Sequence, residues 1–114
     1  MMLRNTARQT VLARKTFRAV TFWARFMGLM GKSHFPASYD ALIFDNCNSI
    51  HCFFMRMEID VLFLNRHGKV LKSVRRLKPW HLAFGPAGSC CVIELPAGTL
   101  EHSHTVPGDL LKFE

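Results

Sequence analysis

The chain has 114 residues and a mass of 13.1 kDa, enough for one domain with a buried core and too little for two. Apolar residues make up 49% and charged residues 20%, with ten Phe, which excludes a disordered or collagen-like chain. The longest run free of Asp, Glu, Lys and Arg, Pro79 to Ile93, is 15 residues broken by Gly85, Pro86 and Gly88, shorter than the roughly 18 apolar residues of a spanning helix.

The formal charge of +7 lies entirely in the N-terminal third. Residues 1–32 hold seven bases and no acid, whereas residues 33–114 hold eight of each. Such a segment reads as a targeting peptide, as an arm for nucleic acid or anionic membrane, or as a solvated basic stripe. Arg25 splits the apolar stretch Ala19 to Met30, so the uninterrupted core of a secretory leader is missing and a cytoplasmic location is expected.

Residues 1–9 are open to disorder, and residues 10–14 suit a short strand. On a helical wheel residues 14–30 gather Arg14, Arg18 and Arg25 into one narrow stripe. Phe22, Trp23, Phe26 and their apolar neighbours fill most of the remaining circumference, which predicts a helix enclosed by the rest of the protein. Residues 32–40 form a loop around Pro36. Ala41 to Phe44, Ile50 to Met57 and Glu58 to Leu64 read as strands, and Asn65-Arg66-His67-Gly68 joins the last of these to Lys69–Val74 as a hairpin. Pro79 to Gly88 is an irregular crossing. Ser89 to Leu95 is a further strand, Thr99 caps a single helical turn, and Leu110 to Phe113 closes the chain as a strand. The expectation is a single α+β domain over residues 1–114. It is mainly antiparallel β, a small barrel or two-layer sheet, with one principal N-terminal helix packed on it.

Six short motifs in order carry a resemblance. Arg25-Phe26-Met27-Gly28-Leu29-Met30, Phe53-Phe54-Met55-Arg56 and Ile59-Asp60-Val61-Leu62-Phe63-Leu64 come first, followed by Leu77-Lys78-Pro79-Trp80, Glu94-Leu95-Pro96-Ala97-Gly98 and Gly108-Asp109. From about Thr10 to its end the chain resembles the DUF192 family of small proteins. The resemblance implies a compact, mostly antiparallel β fold with the Arg-x-x-Gly-Leu-Met helix against it, and it implies no reaction.

Four cysteines without a leader are expected to be free thiols. Cys47 and Cys52, and the adjacent pair Cys90 and Cys91, lack zinc-knuckle spacing, and strand alternation keeps His51 and Cys52 apart. No metal and no cofactor are expected. His102 and His104 suit a polar turn better than a ligand pair. Lys69, Lys72, Arg75, Arg76 and Lys78, with Trp80 nearby, read as a charged sheet edge in preference to a nucleic-acid surface. Arg25, Arg56 and Asp60 are polar residues in apolar surroundings. They form either an internal ion pair or, with Trp80, a pocket for a small anionic ligand. The overall expectation is a binding or interaction module without identifiable catalysis. The alternative is an enzyme or small-anion-binding protein with its pocket near Arg56, Asp60 and Trp80.

Overall fold

The computed structural model describes residues 1–21, Ala24 and residues 28–114. Its centre is an open five-stranded sheet built from β3 (Thr16–Arg18), β4 (Ala41–Asp45), β6 (Ile59–Leu64), β7 (Val70–Leu77) and β9 (Cys91–Pro96). Their spatial order is β3-β4-β9-β6-β7, and every pairing is antiparallel except β3 with β4. The strand β6 is buried along its whole length, as a central strand covered on both faces must be, and Val, Ile and Phe supply the branched and aromatic bulk that a pleated interior favours.

Alternation along these strands divides the core in two. Ile43, Leu62, Ile93 and Leu95 face a three-stranded sheet of β1 (Leu3–Asn5), β2 (Thr10–Ala13) and β10 (Leu111–Phe113), together with α1 (Thr99–Ser103). Leu42, Phe44, Val61, Phe63 and Val92 face the other way. There they are covered by Leu29, Cys52 and Met55, and by the flap made of β5 (Ser49–His51) and β8 (Leu82–Phe84).

The hairpin around Gly68 forms where the sequence places it. Gly68 has φ of 82°, and a Cβ there would sit 2.7 Å from the Leu111 carbonyl oxygen, so the turn can pack against β10 only without a side chain.

Three expectations are corrected. Within residues 1–9, Leu3–Asn5 form the strand β1, with Leu3 and Asn5 fully buried. The helix described over its full extent is α1, near the C-terminus, where the principal helix was expected at the N-terminus; in that N-terminal segment Ala24 is helical, its carbonyl accepting the Gly28 N–H at 2.9 Å. Residues 16–18 of the expected N-terminal helix are strand β3, because their backbone finds β4 in parallel register, a tertiary partner that overrides local periodicity. The rest of that expectation, on Phe22, Trp23, Arg25, Phe26 and Met27, lies outside the described residues. Finally, the strand expected over Ile50 to Met57 ends at His51. The chain then turns at Phe53 and Phe54, Phe54 taking φ of 63°.

Candidate functional site

Glu94 is the residue on which the site is built. It sits in β9 with Leu42 and Val61 as its cross-strand neighbours, on the sheet face opposite α1. Its side chain is 3% exposed, and among the described residues Oε1 has no hydrogen-bond partner. Burial in this apolar setting pushes its carboxyl up to about 8, so the proton is retained at neutral pH. The neighbouring groups register the same carboxyl: Cys52 is raised to about 12 by burial and then by Glu94, and Tyr39 is raised by the same two causes.

Beside Glu94 is a cavity of about 120 Å³. Leu29, Met30, Phe44, Ile50 and Met55 give it an apolar wall, while Cys47 just before the flap and Ser49 and His51 in its strand β5 add polar groups. Two of these groups already have partners. The Cys47 thiol donates to the Ser49 carbonyl at 3.1 Å, and His51 Nδ1 accepts the Phe53 N–H at 3.2 Å, which directs any proton on that ring to Nε2. Glu94 is the buried one among the cavity's polar side chains, and among the described residues its Oε1 has no protein partner. Protonated, it offers one O–H donor and one acceptor to whatever enters.

The residues singled out from the sequence do not gather at this cavity. Asp60 is 1% exposed, and its carboxylate accepts three backbone N–H groups, from Arg76 at 2.9 Å, Gly98 at 3.1 Å and Leu100 at 2.9 Å. It fastens the first turn of α1 and the bulged end of β7 to β6, with backbone donors where an arginine partner was expected. Arg56 is exposed, and its N–H donates to the Lys32 carbonyl at 3.1 Å. Trp80 is exposed and packs on Phe53 and Phe54 at ring distances of 5.7 and 4.7 Å. Arg25 lies outside the described residues. The contacts of Asp60 and those of Trp80 share no residue. Glu94 itself was missed, although a single carboxylate inside the β run Cys-Val-Ile-Glu-Leu was a signal of the same kind as Asp60.

Among the described residues no three of His, Cys, Asp and Glu cluster closely enough to hold a metal ion, and no helix is long and apolar enough to cross a membrane. Three of the seven bases in the N-terminal third are paired with acids from later in the chain. Arg4 pairs with Glu114, Arg8 with Asp109 and Arg18 with Asp45.

The chain is 34% identical over 119 residues to a UPF0127 protein of Thermococcus sibiricus, covering 99% of this chain and 75% of that one. Two solved structures share the fold. One is a protein of unknown function from Novosphingobium aromaticivorans, with a TM-score of 0.80 at 16% identity over 98% of this chain and 82% of that one. The other is from Sinorhizobium meliloti and is described as a candidate transcription regulator, with a TM-score of 0.81 at 20% identity over 97% and 89%. At these identities both show the fold alone. The family model DUF192, described as Uncharacterized ACR, matches residues 3–113. With that match and the Thermococcus relative, the chain belongs to the DUF192 family, also named UPF0127.

Proposed function

We propose that this protein is a small-molecule-binding module whose ligand enters the cavity beside Glu94. The observation that carries the reading is the Glu94 carboxyl, buried in an apolar wall with Oε1 unpartnered among the described residues. A buried polar group without a partner costs about 1–3 kcal/mol, and a ligand able to hydrogen-bond it recovers that cost on binding. The cavity of about 120 Å³ is close to the roughly 150 Å³ known to admit benzene. The ligand class is therefore a compact, mainly apolar molecule with one hydroxyl or carbonyl directed at Glu94.

The test is a thermal-shift series with short-chain and cyclic alcohols, the matching hydrocarbons, and short carboxylates. Alcohols are expected to raise Tm and to lose that effect in Glu94→Leu, which replaces the hydrogen-bonding group with an apolar one. Carboxylates and hydrocarbons should be weaker. No shift with any alcohol, or equal shifts in wild type and Glu94→Leu, overturns the reading.

One observation favours a second reading. A carboxyl near 8 is matched to proton transfer at neutral pH, so an enzyme with Glu94 as general acid would use the same cavity. Turnover of a bound alcohol or ester that is abolished in Glu94→Gln would establish it.

A further inference from the structure

A second surface on the molecule is built differently from the cavity. On β8 the side chains of Leu82 and Phe84 are 54% and 61% exposed, while Ala83 between them is buried, so the flap turns an apolar face outward. Phe54 meets Trp80, next to β8 in the chain, edge to face at 4.7 Å, and the two are 57% and 59% exposed. Both hold positive φ, 63° and 67°, a region that bulky residues occupy only at a cost of roughly 1–2 kcal/mol. Burial does not recover that cost, since both rings remain more than half exposed. The backbone is held so as to present them: Gly31 N–H donates to the Phe54 carbonyl, and Trp80 N–H to the Cys52 carbonyl at 2.8 Å.

The segments that build this face carry charge of one sign, and the half-exposed acids on either side of residues 46–57, Asp45 and Glu58, lie against Arg18 and Arg76. Residues 28–39, 46–57 and 77–90, which build the flap and its base, contain Lys32, Arg56 and Lys78 and no Asp or Glu. Arg56 and Lys78 are exposed, as are His51 and His81. A face of aromatic and aliphatic tips rimmed by cations complements a surface that is apolar at depth and anionic at its boundary. A second copy of the same face would be repelled by its own charge. A single-stranded nucleic acid would need a groove of cations along its backbone. Here Lys72 is spent on the Phe84 carbonyl at 2.8 Å and Arg76 lies against Glu58 at 3.8 Å, while Leu82 offers no ring to stack a base.

We infer that the β5–β8 flap docks on an anionic lipid surface, with Phe54, Trp80, Leu82 and Phe84 entering the headgroup boundary and Lys32, Arg56 and Lys78 meeting the lipid phosphates. Aromatic rings are at home at that depth, and cations near an anionic leaflet add attraction that salt weakens.

The experiment is co-sedimentation of the full chain with phosphatidylcholine vesicles with and without phosphatidylglycerol. Leu82→Ser/Phe84→Ser and Arg56→Gln/Lys78→Gln are compared with wild type after matched melting curves show that each variant folds. Wild type should sediment with the anionic vesicles and far less with neutral ones, with a blue shift in tryptophan emission that Trp80→Phe removes. The apolar pair should weaken binding roughly tenfold or more, and the charge pair should flatten its salt dependence. Absence of binding to anionic vesicles overturns the inference. So does undiminished binding by the apolar pair, which would put the attachment on the basic residues 1–32. Tighter binding to a single-stranded oligonucleotide, lost in the same apolar pair, overturns it in favour of nucleic acid.

Discussion

At the scale of single residues, the two buried carboxylates of the central sheet have opposite fates. Asp60 faces three backbone donors, and Glu94 faces Leu42 and Val61 across the strands. The sequence marks both as acids within β runs, and nothing local tells them apart. What separates them is which loop arrives over each side chain, a long-range outcome. Glu94 has a definite signature in pH. Its folded value of about 8 lies above the ordinary 4.5, so between these two values the folded state binds more protons than the unfolded one. Stability then falls as pH rises from about 4.5 to about 8 and levels off beyond, where both states are ionised. Glu94→Gln, which cannot ionise, should match wild type near pH 4 and exceed it progressively up to pH 8, by a gap on the order of 4 kcal/mol. Urea unfolding of both proteins across this range measures the gap. A constant difference at every pH would mean that the carboxyl is ionised in the fold.

At the scale of elements, legibility follows strand length and partner distance. The hairpin of β6 and β7 and the strand β9 are long enough for local pattern to reveal them. The turn of α1 is marked by Pro96 and Gly98 ahead of it, although its N-cap is Gly98 and not the expected Thr99, whose Oγ1 donates to the Pro96 carbonyl. The strands β1, β3 and β8 are three residues each. They exist because a distant strand receives their backbone bonds, which no window of sequence displays. The helix α1 is intermediate, since five residues cannot sustain a helix alone. Gly98 enters it at φ of 96° with no side-chain cap of its own, and the donor groups of Gly98 and Leu100 end on Asp60. Asp60→Asn keeps the size but replaces one accepting oxygen with a donor that faces N–H groups. It should cost about 2–4 kcal/mol, with amide exchange of residues 98–104 accelerating ahead of the central sheet. If those amides exchange no faster, Asp60 does not anchor the helix.

At the scale of the whole molecule, the two ends of the chain are held as neighbours. Strand β1 pairs Leu3 with Phe113, and Met2 and Glu114 exchange backbone hydrogen bonds at 2.7 and 2.8 Å. This arrangement accounts for part of the charge pattern of the first 32 residues, which looks like a free basic arm in one dimension. In three dimensions Arg4, Arg8 and Arg18 are set against acids from far along the chain. The join is secured by a buried polar knot. Asn5 Nδ2 donates to Thr105 Oγ1 and to Asp109 Oδ2, both at 3.0 Å, and Asp109 also receives the Val106 N–H and Arg8 Nε. Burial alone would raise the Asp109 carboxyl, but bonds from Asn5, Val106 and Arg8 outweigh it and hold it below its ordinary value. The stability it confers is therefore present above that ordinary value and is lost as pH falls through the lowered one. Because Asn5 and Asp109 share a bond, their effects should not add. Asn5→Ala and Asp109→Ala should each cost about 2–3 kcal/mol at pH 7, and the double variant clearly less than the sum. The Asp109→Ala deficit should shrink in acid, where the carboxyl is protonated in both states, whereas Asn5→Ala keeps a deficit there because its bonds with Thr105, Ala7 and Arg8 do not titrate. Denaturant unfolding at neutral and acid pH provides the full cycle, and strict additivity would show that the termini are held by the β1–β10 ladder alone.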